Sequence, residues 1–276
     1  MENKRIVIWC GNAANQRALA NKIAADFNLC GIVVDKKVSL KKPSFFKKVV
    51  SVLQDRIFFR TINQSWSDLQ HKYSKQYPSW PNVPVLNSDS INDEKVFEFT
   101  KEFNPDLIVV SGTSLVKAKL LSLKPSIGIV NLHTGLSPYI KGGPNCTNWC
   151  IATRQYEMIG NTIMWINEGI DSGNIITSGR AVITGAKNLF DIQWQVMEQA
   201  HRLYLAAIQY LFTEDKSSYN SVDQKSIAKG NLYLTRAWNY KAKKRLVSNL
   251  PDFLANGINR QNETIITIPI KSSVHG

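Results

Sequence analysis

The sequence predicts an α/β fold built on a mostly parallel sheet, and the order of its first segments is the main reason. An apolar run at residues 4–10 is followed by a short polar loop at 11–15, a helix-periodic segment at 16–27 and a second apolar run at 30–34. Later apolar runs also alternate with segments of helical periodicity. This alternation is typical of parallel sheets, whose strands are buried on both faces and therefore read as nearly continuous apolar runs.

The remaining elements follow in order along the chain. Residues 36–80 read as a basic, aromatic insertion that we expect to be helical at 45–60 and 65–73 and to end in a proline-punctuated connector. The long segment at 189–212 repeats apolar residues every three or four positions, which predicts a helix packed on the sheet, with His201 at the surface. Beyond the insertion we predict helices at 91–103, 116–121 and 189–212, and strands at 106–111, 128–132, 162–166 and 175–182.

Length and composition indicate a globular chain without a membrane span. The 276 residues are 43% hydrophobic and 20% charged, which fits one sizeable domain and an appendage, or two small domains. No apolar run approaches the ~20 residues of a membrane helix, and the first residues lack the pattern of a signal peptide. Cys10, Cys30, Cys146 and Cys150 have neither metal-site nor disulfide spacing, so we expect no metal, reduced thiols and a cytoplasmic location.

The net charge of +13 raises the question of an anionic partner. Such runs are most often solvated helix faces, and the alternative is a site for a phosphate chain or another anionic small molecule. The basic residues form two clusters: Lys36, Lys37, Lys41, Lys42, Lys47, Lys48, Arg56 and Arg60, and then Lys225, Lys229, Arg236, Lys241, Lys243, Lys244 and Arg245.

The residues best suited to catalysis follow the strand at 128–132. Asn131 and His133 are two positions apart, so their side chains share one face of an extended chain at the end of a strand. An amide there can donate to an oxygen that gains negative charge, while an imidazole can move a proton. Asp171, in a glycine-flanked turn, is the candidate to orient the imidazole, although spacing alone also allows a plain turn residue.

The loop after the first strand is the second candidate site. Its backbone N–H groups precede a helix, an arrangement that suits an anion, and we place Gly11 and Asn12 among the residues that contact the substrate. The loop lacks the spaced glycines of a dinucleotide fingerprint, so a Rossmann-type cofactor is not favoured. An ordinary first turn of an α/β domain is the alternative.

Taken together, three motifs resemble the folate-dependent formyltransferases: the Asn-Leu-His sequence at 131–133, the Gly-Leu-Ser-Pro-Tyr run at 135–139 and the Asn-Glu-Gly-Ile-Asp-Ser-Gly loop at 167–173. The resemblance extends over about residues 4–212. It implies a Rossmann-like, mostly parallel sheet with helices on both faces and formyl transfer from 10-formyltetrahydrofolate to an amine. By the same resemblance Asn131, His133 and Asp171 are catalytic, with His133 accepting or relaying the proton of the amine.

The resemblance also implies where the donor binds. Main-chain groups of Leu115, Val116 and Lys117, together with the loop at Gly169 and Ile170, would hold the pterin. The chain departs from the family pattern where Met164 or Trp165 replaces a frequent histidine, where 134–135 reads Thr-Gly, and where the loop at 11–15 is poor in glycine. The last departure argues against a purine-pathway acceptor.

Among the acceptors used in this family, a nucleotide-linked amino sugar for surface polysaccharide or O-antigen fits best. Residues 1–212 would form the catalytic domain and 213–276 a short C-terminal extension that serves a homodimer. That extension includes a helix at 239–250 and a strand-like segment at 264–268. The basic clusters would then meet a nucleoside diphosphate, and Tyr139 would contact the acceptor. Tyr233 and Trp238 are further aromatic candidates, but for these two we favour packing in the core or at a dimer seam. Phosphoribosylglycinamide or methionyl-tRNA is the alternative acceptor, although we expect no nucleic acid.

Overall fold

The computed structural model describes residues 4–37, 59–143, 145–257 and 265–270. The predicted helix at 45–60 and most of the first basic cluster lie outside these residues. The elements in chain order are β1 (Ile6–Gly11), α1 (Ala14–Asp26), β2 (Leu29–Asp35), α2 (Arg60–Gln76), β3 (Val85–Ser88), α3 (Glu94–Glu102), β4 (Leu107–Ser111), α4 (Ala118–Leu121), β5 (Gly128–His133), β6 (Ile140–Gly142), α5 (Cys146–Ala152), β7 (Gly160–Trp165), β8 (Ile175–Arg180), α6 (Leu189–Thr213), β9 (Asn231–Tyr233) and α7 (Tyr240–Asp252).

A seven-stranded sheet in the order β3-β2-β1-β4-β5-β7-β8 forms the centre of the molecule. The first five strands of this order run parallel, and β7 and β8 are antiparallel to their neighbours. Parallel strands need a crossover between them, and the helices supply it. The predicted mostly parallel sheet is confirmed.

Both faces of the sheet are covered, because successive side chains of each strand point to opposite sides. Ile6 and Ile8 of β1 pack with α1 and α6, whereas Val7 and Trp9 pack with α3 and α4. Trp9 also donates its indole N–H to Thr100 Oγ1 of α3 at 3.0 Å. The predicted arrangement of helices on both faces is therefore confirmed as well.

Helix α6 lies on the α1 side of the sheet and differs from its prediction at one residue. His201 is buried, with 1% of its surface exposed, so its predicted surface position is wrong. The ring packs against Tyr73 of α2 and lies 3.3 Å from Lys22 Nζ of α1. Burial, reinforced by the Lys22 charge, lowers the pKa of His201 to about 3. The helix α2, which contains the predicted segment 65–73, covers this face of α6.

The C-terminal extension shares a core with the residues before it. Leu246 and Leu250 of α7 and Phe253 pack in one apolar cluster with α5 and the first turns of α6. Residues 265–270 run extended beside β8, where Ser178 N–H donates to Ile268 O at 2.7 Å, but they form no regular strand. The division at residue 212 remains a prediction about domains.

Three short strands are missing from the sequence prediction. β3 adds to the parallel edge of the sheet, and β6 and β9 pair with each other as a separate two-stranded sheet. Among the described residues no helix is long and apolar enough to cross a membrane.

Candidate active site

The carboxyl ends of the parallel strands open onto a cavity of about 680 Å³. Open α/β sheets bind their ligands at this edge, because the loops after several strands meet there. The loops after β1, β2, β4 and β5 and the loop between β7 and β8 all contribute to its wall. Asn131, His133 and Asp171 are among the lining residues.

The structure brings these three side chains into contact. Asn131 Nδ2 lies 3.4 Å from Asp171 Oδ1, and His133 Nδ1 lies 3.3 Å from Asp171 Oδ2. Asp171 Oδ2 also accepts from the Gly142 N–H at 2.9 Å, so three contacts hold the carboxylate. Asp171 has a φ of 45°, a left-handed conformation that Asp tolerates better than most residues. The predicted proximity of Asn131, His133 and Asp171 is thus present in the fold.

Both ring nitrogens of His133 face acceptors. His133 Nε2 lies 2.9 Å from the carbonyl oxygen of Ile140, and a carbonyl can only accept, so Nε2 carries a hydrogen. Nδ1 faces the Asp171 carboxylate. Burial opposes the charged form of the imidazole, but Asp171, Cys146 and the Ile140 carbonyl favour it more, and the pKa of His133 is raised from 6.5 to about 10. This geometry favours the protonated ring, and the role of His133 in accepting or relaying the proton of the amine stays a prediction.

Cys146, at the start of α5, is a neighbour of His133 that no sequence motif indicated as a site residue. Its Sγ lies 3.6 Å from His133 Nε2 and 3.4 Å from the carbonyl oxygen of Gly142. Helix α5 begins at Cys146 because the preceding Asn145 caps it, with Asn145 Oδ1 accepting from the Asn148 N–H at 3.2 Å. The cap therefore sets the position of the thiol next to the imidazole.

The loop after β4 is shaped by two polar side chains from other elements. Asp35, at the end of β2, accepts from the Ser114 N–H at 2.7 Å. Asn92 donates to the Leu115 carbonyl at 2.9 Å and accepts from the Lys117 N–H at 2.8 Å. The sequence analysis missed Asp35 and Asn92 as site residues, and only the position of Asp35 at a strand end could have indicated it.

The predicted donor-binding residues divide into two groups. Leu115, Val116, Gly169 and Ile170 line the cavity, as predicted. Lys117 is not among the lining residues, and its N–H is already bonded to Asn92. That the main chain of Lys117 contacts the pterin stays a prediction, which this hydrogen bond does not favour.

The predicted acceptor residues divide in the same way. Gly11 and Asn12 line the cavity. Tyr139 does not; it is buried with the C-terminal extension, and its hydroxyl accepts from the Ile266 N–H at 2.8 Å. This burial does not favour a contact between Tyr139 and the acceptor, which stays a prediction. Trp66 of α2, which the sequence analysis did not single out, lines the cavity and is 40% exposed.

The other aromatic and basic candidates differ in whether they line the cavity. Tyr233 lines the cavity, but its ring is stacked on Trp149 at 4.4 Å between centroids, and Trp238 contacts the same indole. Of the first basic cluster, Lys36 and Lys37 line the cavity. None of the second cluster does, which agrees with the interpretation of that cluster as a solvated surface.

Comparison with known proteins identifies the family of the chain. The sequence profile described as formyl transferase matches residues 37–208, more than half of the chain. The chain belongs to the formyl transferase family. The resemblance inferred from the motifs at 131–133 and 167–173 is confirmed.

The curated relatives reported for this formyl transferase family member are methionyl-tRNA formyltransferases. A methionyl-tRNA formyltransferase of Clostridium tetani is 26% identical over 181 residues, which cover 61% of this chain and 56% of that protein. The chain spans 30% to 56% of the length of the first three curated relatives it matches, all of them methionyl-tRNA formyltransferases.

Two solved structures show the same fold. A sugar N-formyltransferase from a Shewanella species has a TM-score of 0.54 at 15% identity and covers 88% of this chain and 86% of its own. A phosphoribosylglycinamide formyltransferase from Bacillus halodurans has a TM-score of 0.52 at 22% identity, covering 78% of this chain and 99% of its own.

The family's formyl donor is 10-formyltetrahydrofolate, and the cavity fits it. Leu115 and Ile170 are 49% and 43% exposed although both are large and apolar. They line the same cavity, where a flat ring system can cover them, and the Leu115 carbonyl beside them offers a polar contact. An uncovered apolar surface inside a cavity marks a ligand site more often than chance exposure does.

Proposed function

We propose that the chain transfers the formyl group of 10-formyltetrahydrofolate to the amine of a nucleotide-linked amino sugar. The observation that carries the chemistry is the contact of Asn131, His133 and Asp171 on the wall of one cavity. An amide donor, a buried cation and a carboxylate at one point supply what acyl transfer to an amine requires.

Each residue has a distinct part in the proposed reaction. The donor supplies an electrophilic formyl carbon when bound. As the amine attacks that carbon, Asn131 Nδ2 donates a hydrogen bond to the formyl oxygen, which gains negative charge. The imidazolium of His133 stabilises the same charge, and Asp171 keeps the ring protonated. Asp171 is the carboxylate nearest both groups and is our candidate to accept the proton that the amine loses. The step is completed when the bond between the donor nitrogen and the formyl carbon breaks, that nitrogen takes up the proton, and tetrahydrofolate leaves.

The walls of the cavity support a nucleotide-linked acceptor. Lys36 and Lys37, at the end of β2, offer positive charge to a diphosphate, and Trp66 offers an exposed ring on which a base can stack. The similarity in fold to a sugar N-formyltransferase over most of both chains agrees with this acceptor. Use in surface polysaccharide synthesis and assembly as a homodimer remain predictions.

Methionyl-tRNA is the second candidate acceptor, and the curated relatives favour it. A tRNA acceptor would be held largely by phosphate contacts, so its binding would weaken steeply with salt. Phosphoribosylglycinamide is the third, because a structure of that name shares the fold.

A transfer assay on an acceptor panel distinguishes the three. The panel contains dTDP-, GDP- and UDP-linked amino sugars, glycinamide ribonucleotide and methionyl-tRNA, with 10-formyltetrahydrofolate as donor and mass spectrometry as readout. We expect one sugar nucleotide to gain a formyl group, and we expect the gain to disappear in His133→Asn. Transfer to the ribonucleotide or the tRNA alone would contradict the proposed acceptor and leave the catalytic residues in place.

A further inference from the structure

Strand β6 supplies backbone contacts that hold the proposed catalytic side chains. The Ile140 carbonyl oxygen lies 2.9 Å from His133 Nε2. The Gly142 N–H donates to Asp171 Oδ2 at 2.9 Å, and the Gly142 carbonyl oxygen lies 3.4 Å from Cys146 Sγ, next to the same imidazole. The position of this three-residue strand therefore determines how the imidazole and the carboxylate are held.

The strand partner of β6 is β9, from the predicted C-terminal extension. Within the described parts of the chain, β6 pairs with β9 alone and has no place in the seven-stranded sheet. At one end of the pair the Asn231 N–H donates to the Tyr139 carbonyl at 2.8 Å. At the other end the Gly143 N–H donates to the Tyr233 carbonyl at 2.8 Å. Strand pairing of β6 thus depends on residues far along the chain and not on the main sheet.

Two glycines allow the backbones of this pair to come together. A Cβ at Gly230, just before β9, would overlap the Pro138 carbonyl oxygen. A Cβ at Gly142 would overlap the Tyr233 carbonyl oxygen, and Gly142 also has a φ of 85°, in the left-handed region that favours glycine. The close approach of β6 and β9 therefore requires a residue without a side chain on each side of the pair.

The side chain of Tyr233 fixes β9 to helix α5. Its ring is stacked on Trp149 with 4.4 Å between the centroids, and its hydroxyl accepts from Gln155 Nε2 at 3.0 Å. Trp149 lies on α5, the helix that begins at Cys146. Strand β9 is thus joined to both segments next to the His133 ring, which are β6 and α5.

We propose that β9 positions the active site: by pairing with β6, it holds the Ile140 carbonyl against His133 and, two residues further on, the N–H that binds Asp171. This inference rests on the proposed function, which gives His133 and Asp171 their parts in the reaction. Because β9 acts through β6, Gly230 and Asn231 are positioning residues and not catalytic ones. A displacement of roughly 1 Å in such a support can cost about 10² in rate.

Substitution of Gly230 by alanine tests the role of β9, because the added methyl group must push this segment away from the Pro138 carbonyl. Gly179→Ala on β8 is the matched control, since a Cβ there meets no atom within 4 Å. With the acceptor that the wild type formylates, we expect Gly230→Ala to lower kcat by roughly 10²-fold, with the donor KM unchanged. Gly179→Ala should keep the wild-type kcat.

The ring N–H of His133 separates a positioning role from a loss of stability. Because Nε2–H is bonded to the Ile140 carbonyl, it should give a slowly exchanging, downfield proton signal in the folded wild type. Lower stability alone would leave that signal in place in the folded protein, whereas displacement of β6 should remove it or move it upfield in Gly230→Ala. A wild-type signal or a wild-type kcat in folded Gly230→Ala would overturn the proposal.

Asn231 provides a second test if Gly230→Ala does not fold. It is the first residue of β9, a position at which a strand tolerates proline. Asn231→Pro removes the N–H that bonds the Tyr139 carbonyl, and Asn231→Ala keeps it. We expect Asn231→Pro to alter the His133 signal and to lower kcat about tenfold, and Asn231→Ala to match the wild type in both. Equal behaviour of the two variants would overturn the proposal.

The two proposals fail in different ways. Transfer only to glycinamide ribonucleotide or methionyl-tRNA overturns the proposed acceptor, and the kinetic test of β9 then uses the acceptor found. The His133 signal needs no acceptor. An unchanged signal in folded Gly230→Ala therefore overturns the role of β9, whichever acceptor is formylated.

Discussion

Asn131 is the side chain whose loss should slow the reaction without disturbing the fold, because it lines the cavity at the end of β5 with its Nδ2 3.4 Å from Asp171 Oδ1. We expect Asn131→Ala to lower turnover by about 10²–10³, the usual loss for one donor to a developing oxyanion. Steady-state kinetics with the identified acceptor measure this. Asn256→Ala, on an exposed residue outside the cavity lining, is the control, and a turnover of Asn131→Ala close to that control would contradict the role.

The charge of His133 makes a prediction about pH. Its pKa in the folded state is raised from 6.5 to about 10, so the stability it contributes is complete below pH 6.5 and is lost as the pH rises toward 10. Removal of the carboxylate in Asp171→Asn should abolish most of this dependence. Urea unfolding at several pH values measures it, and the slope for one such group is at most ~1.4 kcal/mol per pH unit.

Histidine NMR on the native protein checks the same claim directly. The ring resonances of His133 should stay at their protonated positions through neutral pH in the wild type. In Asp171→Asn, where burial acts against the charge without the carboxylate, the pKa should fall. A wild-type titration near the ordinary value of 6.5 would contradict the ion pair.

For single residues, the sequence identifies which ones belong to the site better than it identifies their protonation states. Asn131 and His133 could be paired by their spacing on one strand, and Asp171 only by the motif as a whole. The charge of His133 depends on the Ile140 carbonyl and the Asp171 carboxylate, which reach it only through the folded loops. The ordinary pKa of a histidine therefore does not give the charge of His133 in the folded site.

Among the elements, the loop after β4 is the one most dependent on a single side chain outside it. Asn92 holds the Leu115 carbonyl and the Lys117 N–H, at 2.9 and 2.8 Å, and touches neither Asn131 nor His133. We expect Asn92→Ala to raise the donor KM about tenfold, since two hydrogen bonds of ~0.5–1.5 kcal/mol each are lost.

The controls for Asn92 are kinetic and structural. The acceptor KM should not change, and Asn87→Ala, on the exposed side of β3, should leave both constants as in the wild type. A donor KM unchanged in Asn92→Ala would show that the loop keeps its shape without this side chain.

Regular elements were predictable where they are long and apolar. Strands β1 and β4 are buried throughout and appear in the sequence as continuous apolar runs. Helix α6 buries one face, so its apolar residues recur every three or four positions. Strands β6 and β9 have three residues each and pair across a long separation, and such a pairing leaves no local pattern. The segment at 265–270 is likewise held by particular contacts with β8 and not by a ladder.

For the whole molecule, Tyr204 connects the long helix to the centre of the sheet. Its buried hydroxyl accepts from the Val110 N–H at 2.9 Å and lies 2.9 Å from the carbonyl of Val130, so it bridges β4 and β5. Tyr204→Phe leaves these backbone groups without that partner. We expect a loss of about 1–3 kcal/mol in the free energy of unfolding, the cost of an unsatisfied buried group.

Chemical denaturation of Tyr204→Phe measures this loss. Tyr77→Phe, at the end of α2 where the ring is partly exposed, is the matched control and should change stability little. Equal stability of Tyr204→Phe and the control would contradict the importance of the bridge.

At the same scale, the fold and the family could be read from the sequence, and the acceptor could not. The order of elements predicted the sheet, and the motifs predicted the family. The identity of the acceptor depends on cavity-lining residues from segments far apart in the sequence, such as Trp66, Lys36 and Gln193. These residues form no sequence motif with one another. The net charge also gave no answer, because the second basic cluster lies away from the cavity.

The central claim is that Asn131, His133 and Asp171 move a formyl group onto the amine of a sugar nucleotide. The most direct measurement follows an isotopically labelled formyl group from 10-formyltetrahydrofolate into each member of the acceptor panel, with the wild type and His133→Asn side by side. We predict label on the amine of one sugar nucleotide with the wild type and none with His133→Asn. Label on methionyl-tRNA or the ribonucleotide instead, or equal labelling by both proteins, would contradict the account.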